Sequence, residues 1–236
     1  MEDGKKMSNL EILYEDNHII VVIKPFNIPS QEDSSKDIDM ITIIKNYLKE
    51  KYKKKGNVYL GLVHRLDRPA SGIMVFAKTS KAASRLSEEV RNRTIKKTYL
   101  AICHGKTKEK EKLINYISKD NKTNNSYIDD KNGKESILTY TRINYDEKED
   151  LSLIKVDLET GRHHQIRLQM KTKGYPLYGD QRYGNKDKKQ LALYAYKLEF
   201  IHPVTKEKML FTKLPDEIGV WKLINEVREV LWKIYI

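Results

Sequence analysis

A single carboxylate stands in the middle of the stretch His64-Arg65-Leu66-Asp67-Arg68-Pro69-Ala70-Ser71-Gly72. Pro69 fixes its own φ and Gly72 tolerates positive φ, so the stretch reads as a turn. A carboxylate held in a short loop on a rigid scaffold is well placed to serve as a nucleophile or a base. An Asp with arginines on either side, here Arg65 and Arg68, is more often half of a surface ion pair than a catalyst. From these residues alone both readings stand.

The scaffold comes from what flanks the loop. Before it, Val58, Leu60 and Leu62 alternate with Tyr59 and Gly61; after it, Ile73 to Ala77 is a continuous apolar run, and both patterns are those of buried strands. Earlier in the chain, strands are expected at Glu11–Tyr14 and Ile19–Lys24, joined by an acidic turn and stopped by Pro25. Ile41, Ile44 and Leu48 mark a helix from about Asp39 to Lys54. It carries six lysines between Lys45 and Lys55, a pattern that fits a solvated face and a phosphate-contacting face equally.

Further along, Thr79 or Ser80 is a helix N-cap, with the helix running to about Arg91 and a strand carrying Tyr99 after it. Residues 105–135 are rich in Lys and Asn, read as hairpins, and offer no pattern that suggests chemistry. Strands are expected near 136–145, 151–159, 191–201 and 208–211. Residues 163–173 read as a helix closed by Gly174, and the spacing of Val220, Leu223, Ile224, Val227, Leu231 and Ile234 predicts an amphipathic helix over about 217–234. The neighbouring His163 and His164 are not expected to bind a metal. Adjacent helical positions diverge by about 100°, and no third ligand lies at fitting spacing.

Composition narrows the class. The 236 residues suffice for one substantial core or a core split into two lobes. Lys and Arg total 45 against 33 acidic residues, a net charge of +12 that favours a polyanionic partner. The lone Cys103 sits in an apolar strand, which excludes an intramolecular disulfide and a Cys-rich zinc site and points to a reducing compartment. No stretch approaches the roughly 18 apolar residues of a membrane span, and the charged N-terminus lacks the apolar region of a signal peptide. A cytoplasmic protein is expected, with residues 1–9 as a disordered tip and residues 10–236 as one α+β domain. It should act as a monomer.

Several segments together resemble the RluA-like family of pseudouridine synthases. His64-Arg65-Leu66-Asp67, followed by Ser71-Gly72 and an apolar strand, is similar to the family's active-site motif. Around it stand Tyr14-Glu15-Asp16 leading to Lys24-Pro25, Lys97-Thr98-Tyr99, Thr160-Gly161-Arg162-His163-His164-Gln165-Ile166-Arg167, and Gly174-Tyr175-Pro176. Gly179-Asp180, Tyr183-Gly184, His202-Pro203 and Leu214-Pro215 complete the family's order. The resemblance covers roughly residues 11 to 216. Two positions depart from the pattern, Ala70 and His163, where the family commonly has Thr.

The resemblance implies a long mixed, largely antiparallel sheet flanked by helices, and an enzyme that isomerises uridine in ribosomal or transfer RNA to pseudouridine. It implies Asp67 as the catalytic carboxylate, Arg167 as the cation that keeps it ionised, and Tyr99 as a ring stacked on the uracil. It also implies that Arg65 enters the RNA when the uridine is flipped out, with Arg68 and His64 beside it as RNA-binding residues. The reaction is neither redox nor net hydrolysis, so no cofactor is expected. The small RNA-binding domain that many relatives carry ahead of the catalytic one is expected to be absent. Two rivals differ in class. A non-catalytic RNA-binding module would keep the scaffold without turnover, and a glycoside or nucleoside hydrolase would need a second carboxylate beside Asp67.

Overall fold

The computed structural model describes residues 10–184 and 189–227. In chain order, strands β1 (Ile12–Glu15) and β2 (Ile19–Lys24) precede helix α1 (Met40–Lys51), β3 (Gly61–Leu62), β4 (Ser71–Ala77) and helix α2 (Ser80–Arg91). There follow β5 (Lys96–His104), β6 (Lys110–Asp120), β7 (Asn125–Ile128), β8 (Lys134–Asp146), β9 (Leu151–Leu158) and helix α3 (Gln165–Thr172). Strands β10 (Leu193–Ile201) and β11 (Lys208–Thr212) and a 3₁₀ helix over Gly219–Val227 complete the described part. The class is α+β, strand-rich with few helices. Among the described residues no helix is long and apolar enough to cross a membrane.

The chain forms two compact units, with boundaries that fall inside β5 and β10 and after Lys213. The first unit holds the chain up to Lys96 together with Lys197–Lys213. Here β2 pairs antiparallel with β1 and with β4, the latter in register from Ile19↔Ala77 to Lys24↔Gly72, and β3 adds Leu62↔Phe76. Ile19 to Val22 and Ile73 to Ala77 are all buried, so both faces of β2 and β4 are covered. That explains why these strands read as continuous apolar runs and not as an alternation. One face meets Ala82 and Leu86 of α2, with Ile95, Leu198 and Phe200. Asp39 caps α1 by accepting the Thr42 N–H at 2.8 Å, and Thr79 caps α2 by accepting that of Ala82 at 3.2 Å.

The second unit holds Lys97–Tyr196 and the chain from Leu214. Its strands run in the order β5-β9-β8-β6-β7, with antiparallel ladders from Lys97↔Leu158 in β5–β9 to Asp120↔Asn125 in the β6–β7 hairpin. Leu100, Ile102, Leu151, Leu153, Ala192, Tyr194 and Tyr196 form its core with Trp221 and Ile224. Cys103 is fully buried, and burial pushes its thiol up to about 12, as befits a small core residue.

One expected element changes here. The amphipathic helix expected over 217–234 is, where described, a 3₁₀ helix from Gly219, and residues 228–234 lie outside the described residues. Trp221 and Ile224, three apart, both reach the core, as three residues per turn require. The expected tip, residues 1–9, also lies outside the described residues.

Candidate active site

The Asp67 loop lies between β3 and β4 and is tied down by its backbone. The Ala70 N–H donates to the Asp67 carbonyl at 3.0 Å, closing a turn. Ser30 Oγ both donates to the Leu66 carbonyl (2.8 Å) and accepts the Leu66 N–H (3.1 Å). Gly72 has φ +123°, a conformation side chains resist, which is why glycine ends the loop. Leu66 and Ala70 point into the core while Asp67 stays half-buried. The carboxylate is thus carried on a backbone fixed from both sides.

Beneath the loop sits a buried ammonium. Lys24, at the end of β2 and fully buried, donates through Nζ to the carbonyls of Pro25 (2.9 Å), Ile28 (2.7 Å) and Arg68 (3.0 Å). Three donors meet three acceptors, one of them the residue after Asp67. Burial pulls this ammonium down to about 7, the Asp67 charge pulls it back up, and Arg68 lowers it further.

The other loop residues separate by environment. Arg68 is engaged by the 27–37 segment: Nε donates to Asn27 Oδ1 (3.2 Å), Nη1 to Ser35 Oγ (2.8 Å), and the guanidinium pairs with Asp33 and Asp37. His64 turns back on β4, its Nε2 accepting the Val75 N–H at 3.1 Å, which leaves the ring proton of the neutral form on Nδ1. Arg65 is exposed and makes no hydrogen bond or ion pair among the described residues. Of the residues singled out from the sequence, His64, Arg65, Asp67 and Arg68 belong to the first unit; Tyr99 and Arg167 belong to the second.

In the second unit, Tyr99 lies on β5 opposite Val156 and is 6 % exposed. Arg167, in the first turn of α3, is 4 % exposed and forms a bidentate pair with Asp180, Nε to Oδ2 at 2.8 Å and Nη2 to Oδ1 at 2.7 Å. Burial alone would raise the Asp180 carboxyl, but Arg167 and the backbone N–H groups of Tyr183 and Arg182 hold it below the usual range. Gly179 makes this possible: its φ is +72°, and a β-carbon there would stand 2.1 Å from the Gln190 carbonyl oxygen. The guanidinium also lies 5.3 Å from the centre of the Tyr183 ring.

Tyr183 joins two more groups. Its hydroxyl accepts the Ser126 N–H at 2.7 Å and lies 2.9 Å from His164 Nδ1. Ser126 Oγ donates to the His163 carbonyl at 2.7 Å, so its lone pair is left to accept the His163 Nδ1–H at 3.0 Å. Burial first, then Arg167 and His163, hold His164 down at about 2, so it stays neutral.

This corrects the expected helix over 163–173. It begins at Gln165, because His164 is left-handed (φ +53°) and the Gln165 side chain takes up the Arg162 N–H (3.0 Å) and the Thr160 hydroxyl (2.8 Å). The two histidine rings therefore do not diverge as helical neighbours; their centres are 3.7 Å apart. Among the described residues no group of three or more His, Cys, Asp or Glu side chains is placed to hold a metal.

The sequence reading did not assign roles to Lys24, Asp180, Tyr183 or Ser126. Three of them lay in resemblance motifs, which was the available signal. Ser126 lay in the stretch judged uninformative.

The family described as RNA pseudouridylate synthase matches residues 18–172, a span containing Asp67, Tyr99 and Arg167. The chain belongs to that family. The synthase is 35 % identical over 202 residues to a Bacillus subtilis protein named as an uncharacterized RNA pseudouridine synthase, YhcT, covering 84 % of this chain and 66 % of the relative. It is 32 % identical over 230 residues to a Buchnera aphidicola protein named ribosomal large subunit pseudouridine synthase C, covering 92 % and 70 %. The chain thus spans about two thirds of the length of these relatives. The solved structure of human RNA pseudouridylate synthase domain containing 1 matches the synthase with TM-score 0.74 at 20 % identity, over 97 % of this chain and 98 % of that one, a likeness of fold. Family membership places the chain among RNA-modifying enzymes of the isomerase class.

Proposed function

We propose that the synthase converts a uridine of ribosomal RNA to pseudouridine, with Asp67 as the catalytic carboxylate. The observation that carries the reading is the Asp67 loop, a half-buried carboxylate in a hydrogen-bonded turn braced by the Lys24 ammonium, inside the family's matched span. The relatives named ribosomal large subunit pseudouridine synthases favour ribosomal over transfer RNA as the substrate.

The reaction breaks the bond from the ribose to the base nitrogen, turns the base, and joins the same sugar carbon to carbon five of the ring. Asp67 acts as nucleophile or base in that exchange. A carboxylate enclosed with its substrate would drift toward the protonated form unless a cation opposed it. Lys24 supplies such a charge from below the loop, and Arg167 takes that role by its motif position. Tyr99 stacks on the uracil and relays a proton. Arg65, exposed and without a hydrogen bond or ion pair among the described residues, enters the RNA where the uridine is flipped out. Arg68 and His64 serve RNA binding through the loop they steady, since their own polar groups are turned to the protein.

Forming the new bond expels the hydrogen of carbon five, so RNA tritiated there reports turnover directly. Asp67→Asn should cut tritium release from ribosomal RNA by at least about a thousandfold while leaving RNA affinity and thermal midpoint unchanged. Undiminished release would refute the role of Asp67. Wild-type protein that binds RNA but releases no tritium would favour the non-catalytic module.

A further inference from the structure

We infer that the C-terminal end of α1 and the loop after it form a second RNA-contacting surface, a phosphate-binding face at the end of β2 and β4 opposite Asp67. This rests on RNA being the substrate and adds where the flanking polymer is held. Lys49, Lys51, Lys53, Lys54 and Lys55 fall within seven consecutive positions, all exposed, with Glu50 the only acid among them.

What distinguishes this patch from an ordinary solvated face is its foundation. Glu15, its side chain 6 % exposed, accepts from Lys51 and Lys78 (2.7 Å each), Tyr52 (2.7 Å) and Tyr47 (2.9 Å). The ammonium groups of Lys51, Lys54 and Lys78 stand 4.9 to 5.8 Å from the centre of the Tyr52 ring. One buried carboxylate thus gathers cations around a fixed phenol, and Lys51 and Lys78 consume it. Lys49, Lys53, Lys54 and Lys55 have no carboxylate partner among the described residues.

The helix end keeps charge even where geometry disfavours a side chain. Lys53 has φ +49° at the position where helices usually place glycine, while the Lys54 N–H closes back on the Lys49 carbonyl at 3.0 Å. The helix dipole accounts for cations in the last turn, Lys49 and Lys51, but its effect fades within that turn and does not reach Lys54 and Lys55. Unpaired like charges in one loop repel each other, and a row of phosphates relieves that repulsion.

The ladder of β2 and β4 sets the distance. Asp67 precedes the Gly72 end and Lys78 follows the Ala77 end of a ladder six residue pairs long, about 17 Å from first pair to last at strand rise. Helix α1 covers the same interval: it starts where the Met40 N–H meets the Pro29 carbonyl and rises about 18 Å over its 12 residues. An RNA seated at Asp67 therefore meets these lysines several nucleotides from its target. The surface governs affinity and not the chemical step.

The test is the variant Lys49→Gln/Lys53→Gln/Lys54→Gln/Lys55→Gln, measured on deproteinised large-subunit ribosomal RNA across a salt series. The dissociation constant should rise by about tenfold or more at low salt, and the slope of log affinity against log salt should shrink by about 2 to 3. Turnover at saturating RNA and thermal midpoint should stay at wild-type values. A control removes the same charge from the exposed Lys122, Lys131, Lys134 and Lys148 and should change affinity little. Equal loss in both variants, an unchanged salt slope, or a fall in thermal midpoint that accounts for the weakening would overturn the inference. So would intact RNA binding with loss of binding to phosphatidylserine vesicles, which would assign the face to a membrane. Because binding is read without turnover, a wild type that releases no tritium defeats the isomerase reading and leaves this one standing on its own result.

Discussion

Lys24 and Arg167 are both buried cations, and the protein stabilises them in opposite ways. Arg167 meets a carboxylate edge to edge, so two charges leave water together and cancel. Lys24 meets three backbone carbonyls, and Asp67 acts on it through its charge. The guanidinium is thus oriented by a side chain that mutation can delete. The ammonium is held by main chain that no substitution of a partner can remove. A bidentate pair fixes the direction of a planar group, whereas a ring of carbonyls fixes the loop segments that own them. The two buried charges solve different positioning problems: one aims a side chain and the other clamps a loop.

The largest effect follows from breaking the pair on one side only. Asp180→Ala takes the bidentate carboxylate away from the buried Arg167 guanidinium and should cost about 3–5 kcal/mol, read as urea midpoint at constant slope. Arg167→Met/Asp180→Leu should recover most of that loss, giving a coupling energy of several kcal/mol in the double-mutant cycle. If the two single changes simply add, the pair is not the unit described here.

Lys24→Met should cost less, about 2–3 kcal/mol, since three carbonyls lose a donor but none of them carries a full charge. Its coupling to Asp67→Asn should stay below about 1 kcal/mol, because their interaction is through space. Its pH signature has a definite sign. The folded-state value of about 7 lies below the ordinary 10.5, so between these values the unfolded chain holds a proton that the folded chain has released. Wild-type stability should therefore gain relative to Lys24→Met as pH rises from about 7 to 10.5. A difference that is flat over that window would show that the carbonyls keep Lys24 charged throughout.

The same contrast shows what a sequence can and cannot reveal. Strands β2 and β4 were legible because burial on both faces produces apolar runs bounded by Pro25 and Gly72, and Thr79 was legible because capping is a local hydrogen bond. The Asp67 loop stood out for the same local reasons. The partners of the buried cations did not, because they are tertiary. Asp180 lies 13 positions from Arg167 in a non-periodic turn, and Lys24 looks like the polar end of a strand until the carbonyls around it are placed. Ser126 bonds His163 from 37 positions away, which gives a structural role to a stretch that composition alone made look inert. The start of α3 was misplaced for a related reason. Helical periodicity continues through His163 and His164, but the Gln165 side chain captures the N–H and hydroxyl of the preceding turn, and His164 goes left-handed. The lysine-rich end of α1 was visible as charge, while the Glu15 carboxylate that organises it sits more than thirty residues earlier.

The smallest effect separates the two ways in which Tyr183 serves the Arg167 arrangement. Tyr183→Phe keeps the ring under the guanidinium and removes only the hydroxyl that the Ser126 N–H and His164 Nδ1 share. It should cost about 1 kcal/mol, the worth of a buried neutral hydrogen bond. Tyr183→Leu removes the ring as well and should add roughly 1 kcal/mol more for the lost cation–π contact. If the contact is real, that second increment should vanish when Arg167 is already methionine, because no cation remains above the ring, while the hydroxyl increment should persist. Should both increments survive in the Arg167→Met background, Tyr183 acts by packing alone, and Arg167 is aimed by Asp180 without help from the ring beneath it.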